Sequence, residues 1–122
     1  MGAMRARLER CYRVEAAHRL PRVPAGHPCS RLHGHAYAIW VAVEGQVHDD
    51  TGWLIDFHDM DRICDPIVRE LDHRCLNDVP GLENPTVEQI ARWLWLRLGD
   101  RLQLAEIRIE ETADAVCIYR GE

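Results

Sequence analysis

Residues 27–37 read HPCSRLHGHAY, a stretch dense in side chains that bind metals or move protons. His33 and His35 are spaced i and i+2. On a strand such a pair projects from one face, about 7 Å apart along the backbone by the rise per residue. Two imidazoles so placed can converge on one zinc ion. His18 shares a face with Tyr12, Val14 and Ala16 in the alternating run 8–18. If that run pairs with the His33 strand as a hairpin, His18 brings a third nitrogen. Three histidines with one open position are how catalytic zinc is held, whereas a fourth protein ligand closes a structural site. The plainer alternative is three polar strand-end residues facing water.

Cys29 stands four residues before His33. It has three readings: a fourth ligand, an inert small core residue, or a base whose thiol loses its proton more easily beside a dication. Spacing does not choose among them. In LDHR, Asp72 directly precedes His73 at the expected end of a helix. Adjacent residues do not share a helix face, but a loop there lets a carboxylate orient an imidazole. A solvated helix end is the alternative. Glu111 falls on the face of Ile107 and Ile109 in the run 105–111. A carboxylate on an apolar strand face needs a partner. If buried, it suits a ligand with two adjacent N–H donors, such as the amino-pyrimidinone edge of a pterin or guanine; otherwise it lies at the strand end in water.

These residues need elements to place them. Alternation predicts a strand over 8–18, and three prolines and a glycine make 20–32 a loop. A second strand runs from His33, with His33, His35, Tyr37, Ile39, Val41 and Val43 on one face. DDTG is turn chemistry, and WLIDF, 53–57, reads as a third short extended run. A helix is expected over about 58–71 from Ile63, Ile67 and Leu71, with Pro66 kinking it or marking its start. Thr86 and Gln89 form a capping box for a second helix, with Asn84 before Pro85 as the competing cap. Strands at 105–111 and 116–120 close the chain. The order is that of an α+β fold with a mainly antiparallel sheet.

The chain has 122 residues, 47% of them hydrophobic, and a net charge of −5. That predicts one domain spanning residues 1–122, with 1–6 as a tag remnant or disordered leader. The charge and the lack of a basic tract argue against nucleic acid as a partner. No apolar run spans a bilayer, and the charged start is not a secretory signal. Five cysteines without a CxxC pair fit free thiols in a reduced, cytoplasmic setting. Four tryptophans in so small a chain favour a homo-oligomer.

Taken in order, AAHRLP (16–21), the CxxxHGH of 29–35, GWLIDF (52–57), LDH (71–73), LND-x-PGLENPT (76–86), the ET at 111–112 and CIYRGE (117–122) resemble one family. It is that of the 6-carboxy-5,6,7,8-tetrahydropterin synthases, bacterial relatives of 6-pyruvoyltetrahydropterin synthase that act in queuosine (7-deazapurine) biosynthesis. The resemblance implies a tunnelling fold: an antiparallel four-stranded sheet with two helices on one face, joining edge to edge into a barrel as a trimer or hexamer. It implies a lyase that converts 7,8-dihydroneopterin triphosphate to 6-carboxy-5,6,7,8-tetrahydropterin, releasing acetaldehyde and triphosphate. By the same resemblance His18, His33 and His35 are the ligands of Zn2+, and Cys29 is the proton-abstracting base. Asp72 and His73 form a relay, from a neighbouring subunit. Glu111 anchors the pterin ring and Thr86 is a nearby contact. His27, Arg19 and Arg31 are candidates to meet the triphosphate. The three residues between Cys29 and His33 favour the carboxy-forming branch, because the pyruvoyl-forming animal enzymes carry a longer insertion there. Pro28 stands where relatives often have a basic residue, a departure that bears on the triphosphate contacts.

Overall fold

The computed structural model describes residues 4–122; residues 1–3 of the expected leader lie outside the described residues. Two long strands carry the fold: β1 (Arg5–His18) and β2 (His33–Gln46), paired antiparallel along their whole length from Arg5↔Gln46 to His18↔His33. Arg5 and Ala6, expected with the leader, are thus already sheet, because Gln46 and Gly45 offer them a ladder. After β2 come α1 (Phe57–Val68), the two-residue β3 (Arg74–Cys75), α2 (Val87–Leu98), β4 (Leu104–Thr112) and β5 (Ala115–Tyr119). The sheet order is β3-β1-β2-β4-β5. Four strands are antiparallel neighbours, as expected, but the four-stranded antiparallel sheet needs correction. A fifth strand, β3, pairs parallel to β1 through Ala16↔Arg74 and Ala17↔Cys75, so the sheet is mixed. Within the chain it is open, with β3 and β5 at its edges.

Period two decides which face is buried. Tyr12, Val14 and Ala16 of β1, Tyr37, Ile39, Val41 and Val43 of β2, and Ile107 and Ile109 of β4 all face the helices. There they pack on Met60, Cys64, Ile67 and Val68 of α1 and on Ile90, Ala91, Leu94 and Leu98 of α2. The other face is mixed: Val116 and Ile118 are exposed on it, Arg7 pairs with Glu106 at 3.0 Å, and Trp40 donates its indole N–H to Glu110 at 3.0 Å.

WLIDF is not a strand. Trp53 O accepts the His48 N–H at 3.0 Å in a turn, and the aspartate of the run has another use. Asp56 caps α1 by accepting the His58 N–H at 3.0 Å, while Leu54 and Ile55 pack partly buried on the core. Helix α1 therefore begins at Phe57 and ends at Val68, three residues short of expectation. Pro66 lies inside its last turn, neither starting nor ending it. Leu71 is still buried, carried inward by the tight turn that bonds Leu71 N to Val68 O. At α2 Thr86, not Asn84, is the cap: its hydroxyl accepts the Gln89 N–H at 3.2 Å.

Candidate active site

The register His18↔His33 brings the end of β1 against the start of β2, and His35 follows one pleat later on the same face. The ring centroids of His18 and His33 are 4.6 Å apart, those of His33 and His35 5.0 Å, and those of His18 and His35 5.2 Å. One ligating atom from each lies within 4.8 Å of the other two.

Backbone carbonyls orient two of the rings. His18 Nδ1 lies 2.8 Å from Pro85 O, and His33 Nδ1 lies 2.7 Å from Arg31 O. A carbonyl only accepts, so each Nδ1 carries the proton and each Nε2 keeps its lone pair. This is the outer-shell arrangement that fixes a ligating imidazole. His18 is 1% exposed, and burial pulls its pKa down, which keeps the ring neutral and able to ligate. The three residues thus fit a transition-metal cation.

Glu111 reaches the same cluster. One carboxylate oxygen lies 3.5 Å from His35 Nε2 and 3.7 Å from His18 Nε2. The carboxylate on the strand's inner face thus stands beside the histidine cluster, partly exposed, without a hydrogen bond to the lone pair of His18 Nε2. Tyr37, buried below, sets its hydroxyl 3.4 Å from His18 Nδ1. Sequence reading placed Tyr37 on this face without giving it a role; the period-two pattern alone could have marked it.

Cys29 sits half-buried in a single 3₁₀ turn, Pro28–Ser30. Its carbonyl accepts the Leu20 N–H at 2.8 Å, so the loop folds back to within two residues of His18. Asn77 clamps the intervening residue: Arg19 N donates to Asn77 Oδ1 at 3.0 Å, and Asn77 Nδ2 donates to Arg19 O at 2.8 Å. Thr86 caps α2 beside Pro85, whose carbonyl meets His18.

Asp72 and His73 form a pair elsewhere. Asp72 Oδ1 is 3.1 Å from His73 Nδ1 and accepts the Glu15 N–H at 2.9 Å, while His73 N donates to Glu15 O at 2.6 Å. His73 has φ of 57°, the left-handed region, which lets adjacent side chains turn toward each other as a helix would not. Its ring is 73% exposed at the edge of β1. The backbone N–H of Glu15, then His73, hold the Asp72 carboxyl below the usual carboxylate range. No hydrogen bond or ion pair among the described residues joins this pair to the three histidines. An open depression of about 600 Å³ lies along this edge, with Glu15, Ala17, Gly34, His35 and His73 in its walls.

Residues 7–122 match the family model described as 6-pyruvoyl tetrahydropterin synthase. A curated relative named 6-carboxy-5,6,7,8-tetrahydropterin synthase, from Synechocystis, is 40% identical over 115 residues, 88% of each chain. A dihydroneopterin monophosphate aldolase of Pyrococcus furiosus is 41% identical over 71 residues, 58% of this chain and 59% of that one. Among solved structures, 6-pyruvoyl tetrahydropterin synthase of Caenorhabditis elegans superposes with a TM-score of 0.91 at 26% identity, covering 100% of both chains. With the three-histidine hairpin, these likenesses establish that the chain belongs to the 6-pyruvoyl tetrahydropterin synthase family.

Proposed function

We propose that the protein is a zinc-dependent carbon–carbon lyase. It converts 7,8-dihydroneopterin triphosphate and water to 6-carboxy-5,6,7,8-tetrahydropterin, acetaldehyde and triphosphate, as a step in queuosine biosynthesis. The observation that carries this reading is the convergence of His18, His33 and His35. Likeness over 88% of each chain to a relative named 6-carboxy-5,6,7,8-tetrahydropterin synthase and the short Cys29–His33 spacing support that branch.

His18, His33 and His35 would hold Zn2+, which supplies Lewis acidity toward the oxygens of the substrate side chain when bound. Cys29, as thiolate, takes a carbon-bound proton. Asp72 accepts from His73 and so orients that imidazole to deliver or remove the second proton. His73 is exposed at the β1 edge, and no hydrogen bond or ion pair among the described residues links the pair to the cluster of the same chain. The reading therefore has them serve a neighbouring copy, in a trimer or hexamer whose sheets join edge to edge. Glu111 takes the paired N–H groups of the pterin ring, and Thr86 lies beside it. Fixing the ring fixes which side-chain carbon meets the base. No helix among the described residues is long and apolar enough to cross a membrane; the free thiols suit a cytoplasmic setting.

The deciding experiment incubates zinc-loaded protein with 7,8-dihydroneopterin triphosphate and identifies products by mass spectrometry, with a chelated control. A 6-carboxy pterin with acetaldehyde, lost on chelation, is the expected result. A 6-pyruvoyl product moves the protein to the sister activity. Turnover of a dihydroneopterin monophosphate alone favours the aldolase reading, which the likeness to the Pyrococcus enzyme keeps in view. No turnover with zinc bound leaves a pterin-binding module.

A further inference from the structure

We propose that His27 is a positioning residue for Cys29: its imidazole fixes the turn from which the thiol works. The inference rests on the reading of Cys29 as the base. His27 is the N-cap of the 3₁₀ turn, and Pro28 occupies the first position. Proline has no N–H, so the first donor left without a partner in the turn is that of Cys29. His27 Nδ1 accepts it at 3.0 Å. Accepting requires the Nδ1 lone pair, which puts the ring proton on Nε2.

The same residue anchors the turn again. His27 O accepts Ser30 N at 3.0 Å and Ser30 Oγ at 2.7 Å. Cys29 O is taken by Leu20 N at 2.8 Å. Both backbone polar groups of Cys29 are therefore engaged, one by the His27 side chain and one by the residue two beyond His18. Rotation about the side-chain bond is the freedom left to the thiol. The turn then passes directly to Arg31, whose N–H bonds Pro28 O at 3.2 Å and whose carbonyl orients His33. His27 is exposed, so packing does not explain the residue at this position; its acceptor does. With Nδ1 committed to Cys29, only Nε2–H is left for any contact with the triphosphate.

Ser, Asp and Asn are the usual caps. The Oδ1 of asparagine stands as many bonds from Cα as Nδ1 of histidine, so His27→Asn keeps the acceptor and His27→Ala removes it. Both variants of the zinc-loaded full chain are assayed for kcat and KM on 7,8-dihydroneopterin triphosphate. Zinc content and the rate of iodoacetamide alkylation at Cys29, followed by peptide mass spectrometry, are measured alongside. The expected result for His27→Ala is a kcat lower by about 10–100-fold, the scale of a small misplacement of a reacting group. KM and zinc content stay near wild type and Cys29 alkylation slows. His27→Asn restores both rates toward wild type. Unchanged kcat and alkylation in His27→Ala overturn the proposal. So does a rise in KM alone, which assigns His27 to the phosphates, or an asparagine variant as impaired as the alanine one. Cys29→Ala is the separate control: if it turns over normally, the base reading fails, while alkylation of the His27 variants still reports on the turn.

Discussion

The Nδ1 atom of His18 lies 2.8 Å from the carbonyl oxygen of Pro85, so the residue that ends β1 is held by the loop that opens α2. His33 is held by its own loop, through Arg31. His35 has no such carbonyl partner among the described residues, so its removal disturbs the scaffold least. His35→Ala is expected to keep the fold and to lower zinc affinity by more than the roughly 10–100-fold that loss of an outer-shell partner costs. Competition with a chromogenic chelator measures it; unchanged affinity would remove His35 from the ligand set.

Cys29 separates two chemistries. As a base it is dispensable for the metal, so Cys29→Ala should retain full zinc content and lose about 10²–10⁴-fold in kcat. Zinc loss in step with activity would instead make Cys29 a ligand.

Glu111 lies 3.5 Å from His35 Nε2. Glu111→Gln replaces one acceptor oxygen with a donor. In the ring-anchoring role it weakens pterin binding strongly and leaves zinc affinity near wild type, read by calorimetry with a pterin product. A variant that binds pterin normally but loses zinc would place the carboxylate with the histidines instead.

Two carboxylates tie stability to acid pH. Asp61 is held below the usual range by Arg10 first and then by the Tyr12 hydroxyl, which donates to it at 2.7 Å. Asp72 is held down by the Glu15 N–H. Their folded pKa values lie below their unfolded ones, so protons bind the unfolded chain first. The stability they contribute is complete above the unfolded value of about 3.9 and is lost as pH falls through the lower folded values. Thermal melts should therefore be insensitive to these groups near neutrality and drop below about pH 4. Asp61→Asn should make that drop shallower; an unchanged acid limb would deny Asp61 its share.

Gly121 tests packing. Its φ is 83°, and a Cβ there would collide with Cζ2 and Cε2 of the Trp95 ring. Gly121→Ala is expected to cost about 1–3 kcal/mol, from overpacking and a left-handed backbone. A melting temperature equal to wild type would show that the indole moves aside freely.

Much of this arrangement could be read from the chain. Alternation is a local property with period two, so His18, His33 and His35 fell on the correct face before any pairing was known, and Glu111 with them. Thr86 was legible as a cap because its partner is three residues away. WLIDF misled because a short apolar run has no period of its own, and its fate depended on the core that takes Leu54 and Ile55 and the helix that Asp56 caps. The two-residue β3 gave no signal at all, since it is a strand only by its contact with Ala16 and Ala17. The same holds for what orients the site. Pro85 is 67 residues from His18, and Glu15 is 57 from Asp72. A carbonyl or an N–H is present at nearly every position, so residue type could not mark which of them would bind. Chemistry and facing are written in side chains and their spacing; register, tautomer and the grip on each imidazole come from backbone groups that meet only when the sheet and helices close on one another.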